Sequence, residues 1–93
     1  MSLKVEWNKS KAEDNYAKHG ISFELAKAVF EDPFAIGFLD DRQDYGEERF
    51  AILGRAQGSL LYVAYTERMD AVRIISARRA TKNEQETYVQ ENS

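Results

Sequence analysis

From residue 49 to residue 77 the chain reads as three runs of β-forming side chains, Arg49 to Leu53, Leu60 to Thr66 and Val72 to Ala77. Only the turn candidates Arg55-Ala56-Gln57-Gly58 and Arg68-Met69-Asp70 separate them. Connections that short dictate antiparallel neighbours, because a parallel return needs a crossover of about a dozen residues or more. Phe34 to Leu39, apolar with an interruption at Gly37, adds another strand ahead of a polar loop over Asp40 to Glu48 that holds five acidic residues. The segment predicts a four-stranded antiparallel meander.

The flanks supply the rest of the architecture. Leu3, Val5 and Trp7 alternate with Lys4 and Glu6, the period of a half-buried strand. Asn8 or Ser10 can cap a helix whose apolar side is Ala12, Tyr16 and His19, and Gly20 stands where a left-handed residue ends it. Ser22 caps a second helix with Phe23, Ala26, Val29 and Phe30 on one side, and Pro33 lies just beyond it. Thr81-Lys82-Asn83-Glu84 is a capping box opening a last helix that runs to Val89. The expected order is β-α-α-β-β-β-β-α: an α+β domain in which an antiparallel sheet carries its helices mainly on one face and leaves the other free.

With 93 residues and no internal repeat, one domain over 1–93 is expected. There is no cysteine and only one histidine, so neither a disulfide framework nor a thiolate or His-rich metal site is expected. No apolar run approaches the roughly 18 residues of a membrane span, and the first residues lack a signal-peptide core, which points to the cytoplasm and no membrane partner. Gly-rich phosphate loops and Ser-His-Asp logic are missing as well.

The formal net charge of −3 argues against a nucleic-acid partner until it is partitioned. Residues 1–48 sum to −5 and residues 49–82 to +5. All seven arginines lie between 42 and 79, and arginine is the side chain suited to bidentate recognition of phosphate or carboxylate. Taken singly, each arginine has an ordinary explanation: pairing with the acidic loop or lying over the sheet. The series Arg73-Ile74-Ile75-Ser76-Ala77-Arg78-Arg79 is less ordinary. On an ideal strand Arg73 and Arg78 would leave opposite faces, a conclusion that a bulge would reverse. His19, beside Gly20, suits the carbonyl end of its helix and is the one side chain that titrates near neutrality; Glu67 is either a turn residue paired with Arg68 or a base.

The ordered set Lys18-His19-Gly20-Ile21-Ser22-Phe23-Glu24, Phe30-Glu31-Asp32-Pro33, Glu47-Glu48-Arg49, Leu53-Gly54-Arg55, Tyr65-Thr66-Glu67-Arg68 and Arg73 to Thr81 resembles the BrnT family of bacterial type II toxins. The resemblance covers almost the whole chain. One departure stands after Trp7, where the family often has Asp-Pro and this chain has Asn8-Lys9. It implies a RelE-like domain, a ribonuclease that stops translation without metal or cofactor, and a BrnA-type antitoxin carrying a ribbon-helix-helix part. Operator DNA would be bound only through the toxin-antitoxin complex. On that reading Arg68, Arg73, Arg78 and Arg79 surround the scissile phosphate, with Glu67 or His19 as base and Tyr88 or Lys18 as proton donor. Arg49, Arg55, Thr66 and Ser76 would help hold the RNA, and Arg78→Ala would abolish toxicity with the fold intact. The competing reading is a binding module, a degenerate toxin that keeps only its antitoxin surface.

Overall fold

Local signals set the helical layer. In a computed structural model describing residues 3–40 and 48–93, the Asn8 side-chain oxygen accepts from the Lys11 amide at 3.1 Å and so caps α1 (Lys9–His19). Gly20 ends the helix at φ 71°, its amide donating to the Tyr16 carbonyl at 2.8 Å. Ser22 caps the short α2 (Phe23–Ala26), which tightens into a 3₁₀ segment over Lys27–Glu31. The Tyr16 and His19 side chains do not form the buried side of α1. Ala12 is half-buried, Asn15 is buried, and both Tyr16 and His19 are exposed. The reason is polar. Asn15 donates to the carbonyls of Ile21 and Ala77 and accepts from the Ala77 amide, and those bonds fix which side of α1 faces inward.

The strands are β1 (Lys4–Trp7), β2 (Ile36–Asp40), β3 (Arg49–Ala56), β4 (Ser59–Arg68) and β5 (Ala71–Arg79), followed by α3 (Lys82–Glu91). Asp40 thus belongs to β2 and Glu48 directly precedes β3; residues 41–47 of the expected acidic loop lie outside the described residues. The sheet order is β1-β5-β4-β3-β2. β2 to β5 pair antiparallel, whereas β1 runs parallel to β5, so the sheet is mixed rather than purely antiparallel. The period of β1 predicts a strand but not its neighbour, and the helical layer that follows it provides the crossover a parallel pairing requires.

The register makes the two faces unlike. On one, Ile52 and Ala56 of β3, Leu61 and Val63 of β4 and Ile74 and Ala77 of β5 pack against Ile21, Phe23, Ala26 and Val29 from the helical layer. Trp7 of β1 meets Phe23 edge-on, with ring centroids 6.1 Å apart. On the other face lie Ala51 and Leu53 of β3 and Tyr62 of β4, and against these the Ala80 and Tyr88 side chains bring α3. This second face is therefore not left free, as the sequence suggests. One end is covered by α3; the other end carries Arg49, Arg68 and Arg73.

Candidate functional site

A bulge decides which arginines share a face. Ala64 pairs with Ser76 but Tyr65 pairs with Ile74, which leaves Ile75 as an extra residue in β5. A single inserted residue inverts the alternation that follows. Arg73 sits opposite Thr66 and Arg78 opposite Tyr62, so both leave from the face of the even-numbered β4 residues despite their odd separation. Arg68 is on that face too, as is Arg49, which precedes the Phe50–Tyr65 pair by one residue.

Asn8, Lys11, Arg49, Thr66, Arg68 and Arg73 are among the residues lining a cleft of about 120 Å³. Thr66 is 2% exposed, and the Nε atoms of Arg49 and Arg73 are buried. The Arg73 Nε has no hydrogen-bond partner among the described residues. A guanidinium taken partly out of water without an acceptor is costly, and cations crowded together repel one another. An anion with several oxygens relieves both penalties through charge-assisted hydrogen bonds. The edges temper the charge. Register sets Glu6 of β1 opposite Arg73 and Asp40 of β2 opposite Arg49, arrangements favourable for cross-strand pairs of opposite sign.

Arg78 stands apart from this cleft. Its Nη1 and Nη2 donate to the two oxygens of Glu84 at 2.8 and 2.9 Å, and its guanidinium carbon lies 4.2 Å from the centre of the Tyr62 ring. The same Glu84 accepts from the Thr81 amide at 2.9 Å, which completes the capping box of α3. The Arg78 hydrogen bonds hold the Glu84 carboxyl below its ordinary 4.5, against the opposing effect of burial.

A family model described as the ribonuclease toxin BrnT of type II toxin-antitoxin systems matches residues 7–84. This chain belongs to the BrnT family. A search of curated proteins found no significant match. The match spans the cleft residues, the Arg78–Glu84 pair and the helical layer behind the sheet. Such a toxin has an antitoxin partner.

In this BrnT chain the other expected site residues are dispersed. Arg55 and Arg79, both exposed, line a separate hollow of about 340 Å³ with Ser59, Gln85 and Tyr88. There Arg79 Nη1 donates to Ser59 Oγ at 3.2 Å. Tyr88 is 5% exposed and donates its hydroxyl to Asp32 Oδ2 at 2.7 Å; burial, then the Asp32 bond, pushes its pKa above the ordinary 10.0. Ser76 is half-buried on the cleft face, between Arg73 and Arg78. Glu67 is exposed but shares the opposite, helix-covered face with Tyr65, whose phenol is pushed up by burial and then by the Glu67 charge. Lys18 and His19 are exposed on the last turn of α1, in the helical layer behind the sheet.

Two residues that organise the site escape sequence reasoning. Asp32 accepts from the Phe34 amide at 2.9 Å, the Arg55 amide at 2.8 Å and the Tyr88 hydroxyl, so it ties the 3₁₀ segment to β3 and α3. Burial raises its pKa, but those three bonds together hold it below the ordinary 3.8. Asn15 binds both backbone groups of Ala77 within the arginine run. The Asp32-Pro33 pair marks a turn in the sequence, whereas nothing local marks Asn15.

Proposed function

We propose that this toxin cleaves RNA without a metal, using the cleft of Arg49, Arg68 and Arg73 to hold the scissile phosphate. The 2′-hydroxyl attacks the adjacent phosphorus, the bond to the 5′ oxygen breaks, and the products are a cyclic phosphate and a free 5′-hydroxyl. The half-buried Arg73, with its unsatisfied Nε, is the observation that carries this reading. Guanidinium groups already in place where charge accumulates lower the barrier because they need no reorganisation. Among the described residues no three His, Asp or Glu side chains gather as a metal-binding set.

The same reading includes a RelE-like arrangement, arrest of translation, neutralisation by a BrnA-type ribbon-helix-helix antitoxin, and operator binding through the complex alone. It places the toxin in the cytoplasm; among the described residues no helix is long and apolar enough to cross a membrane. The test is cleavage of an RNA oligonucleotide by purified protein in EDTA. Wild type should cut, and Arg73→Ala should lose on the order of 10²–10³ in rate, the usual effect of removing one preorganised donor. Full cleavage by a folded Arg73→Ala protein, or cleavage abolished by EDTA, refutes this assignment.

One observation favours the second reading, a binding module. Neither Glu67 nor His19 shares the cleft with the arginines. A phosphate-binding cleft with no proton acceptor would bind RNA in a salt-sensitive way and leave it intact.

A further inference from the structure

Cleavage through a 2′-oxygen nucleophile needs a base within reach of the phosphate that the arginines hold. Arginine side chains stay protonated and cannot serve. Among the described residues two strand acids share the face of the cleft arginines, Asp40, opposite Arg49, and Glu6, opposite Arg73, while Asp70 lies in the turn beyond Arg68. Asp40 is engaged in an interaction of its own. Glu84, further along the same side, is committed to Arg78 and Thr81.

Glu6 differs from both. It is half-buried in β1, and no hydrogen bond or ion pair among the described residues engages its carboxylate. Its strand lies about 4.8 Å from β5, the spacing of hydrogen-bonded neighbours. Glu6 and Arg68 line one hollow, with Lys4 and Asp70; Arg68 also lines the cleft with Arg73 and Arg49. The two hollows thus adjoin at Arg68, with a carboxylate on one side and the phosphate-sized space on the other.

We infer that Glu6 is the proton acceptor of the cleavage reaction, taking the 2′-hydroxyl proton of an RNA whose phosphate sits against Arg73, Arg68 and Arg49. This rests on the ribonuclease reading above. As the 2′-oxygen bonds to phosphorus, its proton passes to the Glu6 carboxylate. As the bond from phosphorus to the 5′ oxygen breaks, that oxygen takes a proton from water, and Glu6 returns its own to solvent. The parallel pairing of β1 with β5 is what brings this acid to the site, so a purely antiparallel meander would lack it.

The test uses full-length protein, a single-stranded RNA oligonucleotide and its 2′-deoxy analogue, which can bind but has no nucleophile. Glu6→Gln keeps the size and removes the basicity. Its cleavage rate should fall by about 10²–10⁴, the usual contribution of a positioned base, while the analogue binds as well as or better than to wild type. The limb of the rate-against-pH curve that rises with carboxylate ionisation should vanish. Glu6→Asp, which retains the base one methylene further back, should recover part of the rate and keep the limb. A folded Glu6→Gln protein that cuts within about threefold of wild type, or retains the limb, overturns the assignment to Glu6 and leaves the arginine cleft standing. Undiminished cleavage by Arg73→Ala overturns the cleft instead, and a wild type that binds RNA without cutting it overturns both.

Discussion

Arg78, expected at the scissile phosphate, is bonded in the structure to Glu84 of α3, and that partner provides the test of a structural role. Glu84→Ala removes both bonds to Arg78 and the return bond to the Thr81 amide. Hydrogen bonds to charged groups contribute about 1.5–3 kcal/mol, and a capping interaction about 1 kcal/mol. The pair keeps side-chain exposures of 30% and 21%, which screens it and sets its worth toward the low end of that range. The expected loss is about 2–3 kcal/mol, a drop in Tm of roughly 10–20 °C for a domain of this size. Arg78→Met keeps the apolar stem over Tyr62, removes the donors and leaves the half-buried Glu84 without its cation, bonded to the Thr81 amide alone, for about 1.5–2.5 kcal/mol.

A double-mutant cycle in urea, followed by circular dichroism at pH 7, isolates the pair itself, and a coupling of about 1–2 kcal/mol is expected. Acid gives an independent reading. The folded-state pKa of Glu84 is depressed, so its stabilisation is fully present above the unfolded value near 4.5 and is lost as pH falls through the lower folded value. Wild type should therefore lose stability below that point more steeply than Glu84→Ala. If Arg78 served RNA alone, Glu84→Ala would remove only the cap, the cycle would show coupling under about 0.3 kcal/mol, and the pH profiles would run parallel. That result would refute the assignment of Arg78 as the tie between β5 and α3. With the tie present, loss of toxicity in Arg78→Ala has to be read alongside a melting curve.

Asp32→Asn should cost about 1–3 kcal/mol in urea titrations, because an amide nitrogen then faces a donor that the carboxylate had accepted. Its depressed pKa has the same sign as that of Glu84, so the wild-type advantage over Asp32→Asn should shrink as pH falls below 3.8. Gly54→Ala should destabilise by about 1–3 kcal/mol through overpacking, since a Cβ there would stand 2.7 Å from Val29 Cγ1 and 3.2 Å from Ala35 Cβ. Val29→Ala in the same chain should recover part of that loss, and additive losses in thermal melts would show that the clash is not the cause.

Local chemistry made the elements legible and left their partnerships hidden. Gln57 and Gly58 take positive φ values of 50° and 86° in the turn that the sequence predicts, and Met69 takes 52° in the next. The caps at Asn8, Ser22 and Thr81 are visible because each acts within a few residues of its own side chain. The position of β1 is another matter. Val5 aligns with Val72 across nearly the whole chain, and alternation says nothing of such a pairing. Tyr16 and His19 illustrate the same limit in α1, where a polar anchor at Asn15 overrides apolar periodicity. Arg73 and Arg78 show it in β5. The sequence contains both side chains, yet only the register shift at Ala64/Tyr65 puts them on one face.

That register also resolves the opposition between an acidic first half and a basic stretch. The strands at the sheet's two edges, β1 and β2, come from the acidic part, and the three between them from the basic part. Each edge sets one acid against a cleft arginine: Glu6 beside Arg73, Asp40 beside Arg49. Beyond a Debye length of about 8 Å at physiological salt, such neighbouring charges of opposite sign largely cancel, and a chain of net charge −3 exerts little long-range pull on RNA. Within the cleft the cancellation fails, because Arg73 is half-buried and its Nε lacks an acceptor among the described residues. The segregation of charge along the sequence becomes juxtaposition in the sheet, and juxtaposition of an acid with a cluster of guanidinium groups is what proton transfer beside a phosphate requires.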